Sequence, residues 1–100
     1  MENLRPLFET KEIFIADMCR YQYAHLNFLQ GEIQSASLIL SEIQNETIFK
    51  ELAHIFQAEI LDFVIKNAAA AVDSYLEFLE LYPMSIYYDD IRLRLREITS

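Results

Sequence analysis

Glycine and proline are almost missing from this sequence, one and two residues in a hundred. That shortage removes the turn-formers an all-β fold needs for a chain reversal every ten residues or so. Cysteine is equally scarce: Cys19 stands alone, so no internal disulfide forms and packing must hold the fold together. Bases are outnumbered, eight Lys and Arg against sixteen acids, for a formal net charge of −8. This balance excludes the clustered cations of a nucleic-acid surface. No stretch reaches the roughly 18 uninterrupted apolar residues of a membrane span, and the richest segment, Ile60 to Val72, is broken by Asp62 and Lys66. Glu2, Glu9, Glu12 and Asp17 stand where a secretory signal would carry a base and then an apolar run. Membrane insertion is therefore not expected. The location expected is cytoplasmic if the chain is full length, and periplasmic or exported if it is a fragment of a secreted parent.

What is present is material for a core: 53% apolar residues, with seven Phe and six Tyr. Helices joined by short connections are the fold class left, and their period is visible. Advancing about 100° per residue from Ile48 to Lys66 places Phe49, Leu52, Ala53, Phe56, Ile60, Phe63 and Val64 in one arc. Glu51, His54, Glu59, Asp62 and Lys66 fall in the opposite arc. Asn45, Glu46 and Thr47 stand before this helix with capping side chains. The segment Ala68 to Tyr82 is apolar over a wider arc, with Val72, Tyr75, Leu76 and Leu79 in one stripe and Ala71, Phe78 and Tyr82 beside it. Lys66-Asn67 is the break between the two, and Asn tolerates the left-handed conformation of a tight reversal, so an antiparallel hairpin is predicted. Pro83 stops the second helix, and Ser85 stands where the next would be capped. There Tyr87, Ile91, Leu95 and Ile98 mark a buried face, leaving Arg92, Arg94 and Arg96 on the wet side.

The front half repeats the plan, with a helix from about Glu9 to Leu29, a turn at Gln30-Gly31 and a second helix from Glu32 to Ile43. Residues up to Pro6 are expected to be frayed or extended. Placing Gly31 over Lys66 aligns Ile33, Ala36 and Leu40 with Ala68, Ala71 and Tyr75, an offset of 35 residues. The run Asn67, Ala71, Tyr75, Phe78, Leu79, Tyr82, Pro83, Ser85 resembles the second helix and terminal proline of a tetratricopeptide repeat, a family with this period. The string YLEFLELYPMSIYYDDIRLRLREI, from Tyr75 to Ile98, looks like the closing repeat of bacterial tetratricopeptide proteins. Three positions depart from the pattern: Lys66 for the usual glycine, Glu59 for a small residue in the first helix, and Ile48 for the first repeat's proline.

The resemblance implies an all-α fold of about five helices in one domain, stacked as antiparallel hairpins in a short right-handed solenoid. Its repeats run from about 9 to 44 and 47 to 83, with a capping helix from about 85 to 99. Ala36, Leu40, Ala71, Tyr75 and Pro83 are the packing positions it implies. It further implies a protein-interaction scaffold, with Tyr21, Glu51, His54, Glu59 and Asp62 as the candidate partner-binding face. The alternative is a structural cap of a longer repeat protein or a homodimerisation segment, since a repeat stack needs about three units to bury a continuous core.

No catalytic constellation stands out, and an enzyme is not expected. His25 and His54 lack a second ligand at i+4 and read as solvated surface histidines. Glu59 and Asp62 lie one turn apart and read as a wet acidic face, and Cys19 reads as a buried structural thiol. With one glycine there is no phosphate loop, and neither metal nor cofactor is expected. Residues 41 to 84 hold Glu42, Glu46, Glu51, Glu59, Asp62, Asp73, Glu77 and Glu80 against Lys50 and Lys66, which is −6 of the −8. A protein or peptide partner is therefore expected to be basic.

Overall fold

The computed structural model describes the backbone of residues 5–100 and the side chains from Lys11 onward. Among the described residues the chain is all helical: α1 (Arg5–Leu29), α2 (Ile33–Ser41), α3 (Ile48–Glu59), α4 (Ala68–Leu81) and α5 (Tyr88–Thr99). A single π-helical turn, Ile60–Ile65, prolongs α3. The expected class and helix number hold. Helix α1 begins earlier than the composition implied, because Pro6 lies in its first turn, where a missing N–H costs nothing. The rest of the segment expected to fray, residues 1–4, lies outside the described residues.

Two compact units divide the chain, residues 1–53 and 54–100, with the boundary inside α3. In the first, α1 folds back on α2, and Ala24, Ala36, Leu40 and Ile43 are buried. Gly31 makes the reversal possible with φ +84. Around it the Gly31 N–H donates to the Phe28 carbonyl at 3.0 Å and the Glu32 N–H to the Asn27 carbonyl at 2.9 Å, the paired bonds that close a helix through a left-handed residue.

In the second unit α4 packs against the π turn and against α5. Its core is Ala58, Ala71, Tyr75, Phe78, Ile91 and Leu95, with Ile55, Val72, Leu79 and Ile98 packed around it. The left-handed residue of this turn is Lys66, φ 61 and ψ 37, and not the asparagine beside it. Asn67 instead caps α4, its side-chain oxygen accepting the Ala70 N–H at 3.1 Å. The Asn67 N–H reaches the Leu61 carbonyl at 2.9 Å, six residues back, where the matching bond in the first turn spans five.

That extra residue is the π turn. Gly31 and Lys66 stand 35 positions apart, yet the fully buried alanines one helix earlier, Ala24 and Ala58, stand 34 apart. The small residue of the second repeat's first helix is therefore Ala58, and Glu59 fails to match only because one residue is inserted after it. After the turns the offset stays at 35: Ala36 and Ala71 are both fully buried, Leu40 and Tyr75 are each 1% exposed, and Ile43 and Phe78 follow at 2% and 0%.

The π turn also redirects the end of α3. A π turn advances each residue through a smaller angle than an α turn, so the arc read at α spacing fails beyond Ile60. Phe63 and Val64, expected on the buried face, are 53% and 42% exposed. Leu76 likewise leaves its predicted stripe at 52% exposed, because α4 is packed along Ala71, Tyr75 and Phe78. Pro83 does not share the burial of the other four packing positions. It lies in the exposed turn beyond the α4 C-cap, Tyr82, where it stops the helix without filling the core.

Candidate interaction site

Tyr21 and Glu51 lie in the first unit, and His54, Glu59 and Asp62 in the second. Tyr21 is half-buried with its ring 5.9 Å from that of Phe49, which also meets Phe14 at 5.1 Å. Glu51 is half-buried and Glu59 exposed.

His54 is not the solvated histidine its spacing implied. Its Nε2 lies 2.9 Å from the Ser74 carbonyl, and its ring meets Phe78 and Tyr82 edge-on at 5.7 and 6.2 Å. A carbonyl oxygen only accepts, so Nε2 carries a proton and donates. The side chain ties α3 to α4.

Asp62 departs further from the wet face expected. Its side chain is 5% exposed, and both of its oxygens are engaged by α5. Arg94 Nε donates to Oδ2 at 2.7 Å and Nη2 to Oδ1 at 2.8 Å, while the Tyr75 hydroxyl donates to Oδ2 at 2.8 Å. The guanidinium also bonds Glu97 at 3.2 Å and lies 4.6 Å above the centre of the Phe63 ring. The Arg94 bonds, helped by Tyr75, hold the Asp62 carboxyl below the usual range against the opposing effect of burial. Burial and the bond to Asp62 raise the Tyr75 phenol well above its ordinary value. Partial burial, and then the neighbouring Asp62 charge, raise Glu59. The cluster is a fork-and-carboxylate clamp with both carboxylate oxygens engaged, built for holding α5 to the π turn.

A second buried carboxylate was read in the sequence only as part of an acidic N-terminus. Asp17 is fully buried and accepts from Thr47 Oγ1 at 2.8 Å, Arg20 Nη1 at 3.1 Å and Asn45 Nδ2 at 3.3 Å. Asn45 and Thr47, expected as helix caps, direct these side chains at α1 and fix the α2–α3 connection to it. A shallow depression of about 370 Å³ lies beside them, lined by Glu12, Ile13, Ala16, Arg20 and Asn45. The signal was present: Asp17 shares the arc of Ile13, Arg20 and Ala24, so an acid stood in the middle of a packing face.

Cys19, expected to be buried, is exposed. Helix α1 has apolar residues on two sides, and the outer one carries Ile15 (42% exposed), Cys19, Tyr23 (59%) and Leu26 (50%) at spacings of four, four and three. Among the described residues no group of three or more His, Cys, Asp or Glu is placed to hold a metal ion, and no helix is long and apolar enough to cross a membrane. No family model, curated protein or solved structure matches the chain.

Proposed function

We propose that the chain is a protein-interaction scaffold of the tetratricopeptide-repeat type, with no chemistry of its own. The observation that carries this reading is the repeated hairpin: two left-handed turns at Gly31 and Lys66, each followed at the same spacings by three buried residues, Ala36, Leu40 and Ile43 after the first and Ala71, Tyr75 and Phe78 after the second. Stacked helix hairpins present long surfaces made of side chains from many turns, which suit binding of an extended or helical segment. Both buried carboxylates support the same reading. Asp17 and Asp62 are spent on holding helices and connections in place, as a rigid recognition surface requires.

The test is selection of peptides from a random displayed library against the folded chain, followed by titration of those enriched. Saturable binding by peptides that compete with one another supports a scaffold. A library that yields no binder above an unrelated helical protein contradicts it.

One observation favours the second reading, a homodimerisation segment. From Ile13 to Gly31 the only acid is Asp17, which is buried, so past Glu12 the outer face of α1, from Ile15 to Leu26, carries no carboxylate on a chain of charge −8. A second copy meets no like charge there. Sedimentation equilibrium decides: a dimer that Leu26→Glu dissociates supports this reading, and a monomer at all concentrations removes it.

A further inference from the structure

The two most exposed large apolar side chains of the second unit, Met84 and Ile86, lie where α4 turns into α5, between Leu81 and Tyr87. Met84 is 93% exposed, Ile86 85%, Leu81 55% and Tyr87 36%. Large apolar side chains gathered this way at a helix junction mark a contact surface more often than chance exposure. The turn that carries them is ordered. The Ser85 N–H donates to the Tyr82 carbonyl, the Tyr88 N–H to the Ser85 carbonyl and the Tyr87 N–H to Ser85 Oγ, each at 3.1 Å, while Pro83 fixes its own φ. These bonds fix the backbone that presents Met84 and Ile86, so little ordering remains to be done on binding.

Charge around this tip has one sign. Glu77, Glu80, Asp89 and Asp90 are all exposed, and no Lys or Arg occurs between Lys66 and Arg92. Glu80 adjoins Leu81, Glu77 lies one helical turn before it, and Asp89 and Asp90 sit in the first turn of α5.

We infer that the α4–α5 tip, Leu81 to Tyr87 with its acidic surround, is a docking site for a basic amphipathic peptide segment, one that sets Lys or Arg around one or two large apolar side chains. The inference rests on the scaffold reading and names a surface and a partner chemistry for it. Three other occupants fit worse. Anionic lipid is repelled by four carboxylates with no base among them. A second copy would bring the same carboxylates face to face. A nucleic acid meets the wrong charge. A basic segment gains at both places, its charges against the acids and its apolar anchors against Met84 and Ile86. The flexible thioether of Met84 adapts to whatever side chain arrives.

The experiment titrates the full chain with a labelled synthetic peptide of Leu and Lys in helical pattern, about 18 residues or five turns long, and with a matched peptide bearing Glu for Lys. The basic peptide is expected to bind and the acidic one not. Met84→Ser with Ile86→Ser, which leaves net charge unchanged, is expected to weaken binding by about tenfold or more, the loss of two anchors. Glu77→Gln with Glu80→Gln is expected to weaken it and flatten its salt dependence. Both pairs should melt with the parent protein, because all four side chains are exposed. Basic-peptide binding that the serine pair leaves within about twofold of the parent would overturn the tip as the site and reduce the interaction to charge alone. Equal binding of the acidic peptide overturns the partner chemistry. Sedimentation of the parent, but not the serine pair, with phosphatidylserine vesicles overturns it in favour of a membrane. Self-association lost in the serine pair overturns it in favour of a second copy. If neither synthetic peptide binds while library-selected peptides do, the tip assignment fails and the scaffold reading stands.

Discussion

Arg94 grips Asp62 with two parallel bonds, Nε to Oδ2 at 2.7 Å and Nη2 to Oδ1 at 2.8 Å, between residues 32 positions apart. The planar guanidinium matches a carboxylate where an ammonium group cannot. Arg94→Lys should therefore lower the melting temperature nearly as far as Arg94→Met. Equal stability of the lysine variant and the parent would show that only the charge matters.

Tyr75 supplies the third bond to Asp62 from a side chain that is 1% exposed. Tyr75→Ala should destabilise by about 3 kcal/mol or more, as for other buried aromatics. Tyr75→Phe keeps the packing, removes one bond and should cost about 1 kcal/mol. In an Asp62→Asn background the phenylalanine variant should cost a different amount, because the two groups share one network. Strict additivity in denaturant titrations would contradict the contact.

Two of the shifted groups, Asp62 and Tyr75, act at opposite ends of the pH scale. Asp62 is held below its ordinary value, near 3.9, so its stabilisation is fully present above that pH and is lost as pH falls through the lower folded value. Tyr75 is raised above its ordinary value, near 10; its contribution is complete below pH 10 and is lost as pH rises beyond it. Urea melts should show a decline below about pH 4 that Asp62→Asn diminishes, and one above about pH 10 that Tyr75→Phe diminishes. Unchanged profiles in the variants would assign both slopes elsewhere.

Lys66 occupies a left-handed conformation at φ 61, and its side chain is exposed. A non-glycine residue there costs roughly 1–2 kcal/mol, partly offset by the extra freedom glycine has when unfolded. Lys66→Gly should therefore stabilise by about 0.5 kcal/mol, although glycine destabilises nearly everywhere else in a helical protein. A lower melting temperature would contradict the turn geometry.

Asp17 has no exposed surface and accepts from three side chains. Asp17→Ala should cost about 2 kcal/mol or more, as expected for hydrogen bonds to a charged group. Thr47→Val should cost less than half of that. A neutral Asp17→Ala would mean the carboxylate does not tether the α2–α3 connection.

Helix number, both turns and the packing of α4 and α5 were legible because apolar period and breakers are local. Ile91 and Leu95 fall on the buried face their spacing predicts, and Gly31 takes the positive φ its position demanded. Three features were not legible, each for a physical reason. The inserted residue leaves no mark in composition, since Ile60–Ile65 reads as ordinary apolar helix and only the carbonyl that receives the Asn67 N–H reveals the wider turn. The Asp62–Arg94 pair joins residues on separate helices, and helical period says which face a charge lies on without saying what stands opposite. Met84 and Ile86 lie in a turn, where apolar period has no meaning, so their exposure waited on the structure.

The second hairpin repeats the first with one residue inserted before its turn. Trans-hydrogen-bond scalar couplings in a labelled sample read this directly. The Glu32 amide should couple to the Asn27 carbonyl and the Asn67 amide to the Leu61 carbonyl, one residue further back. Coupling of the Asn67 amide to the Asp62 carbonyl would place both turns in the same register and remove the insertion, and with it the explanation of why the two buried alanines stand 34 residues apart while the two left-handed turns stand 35.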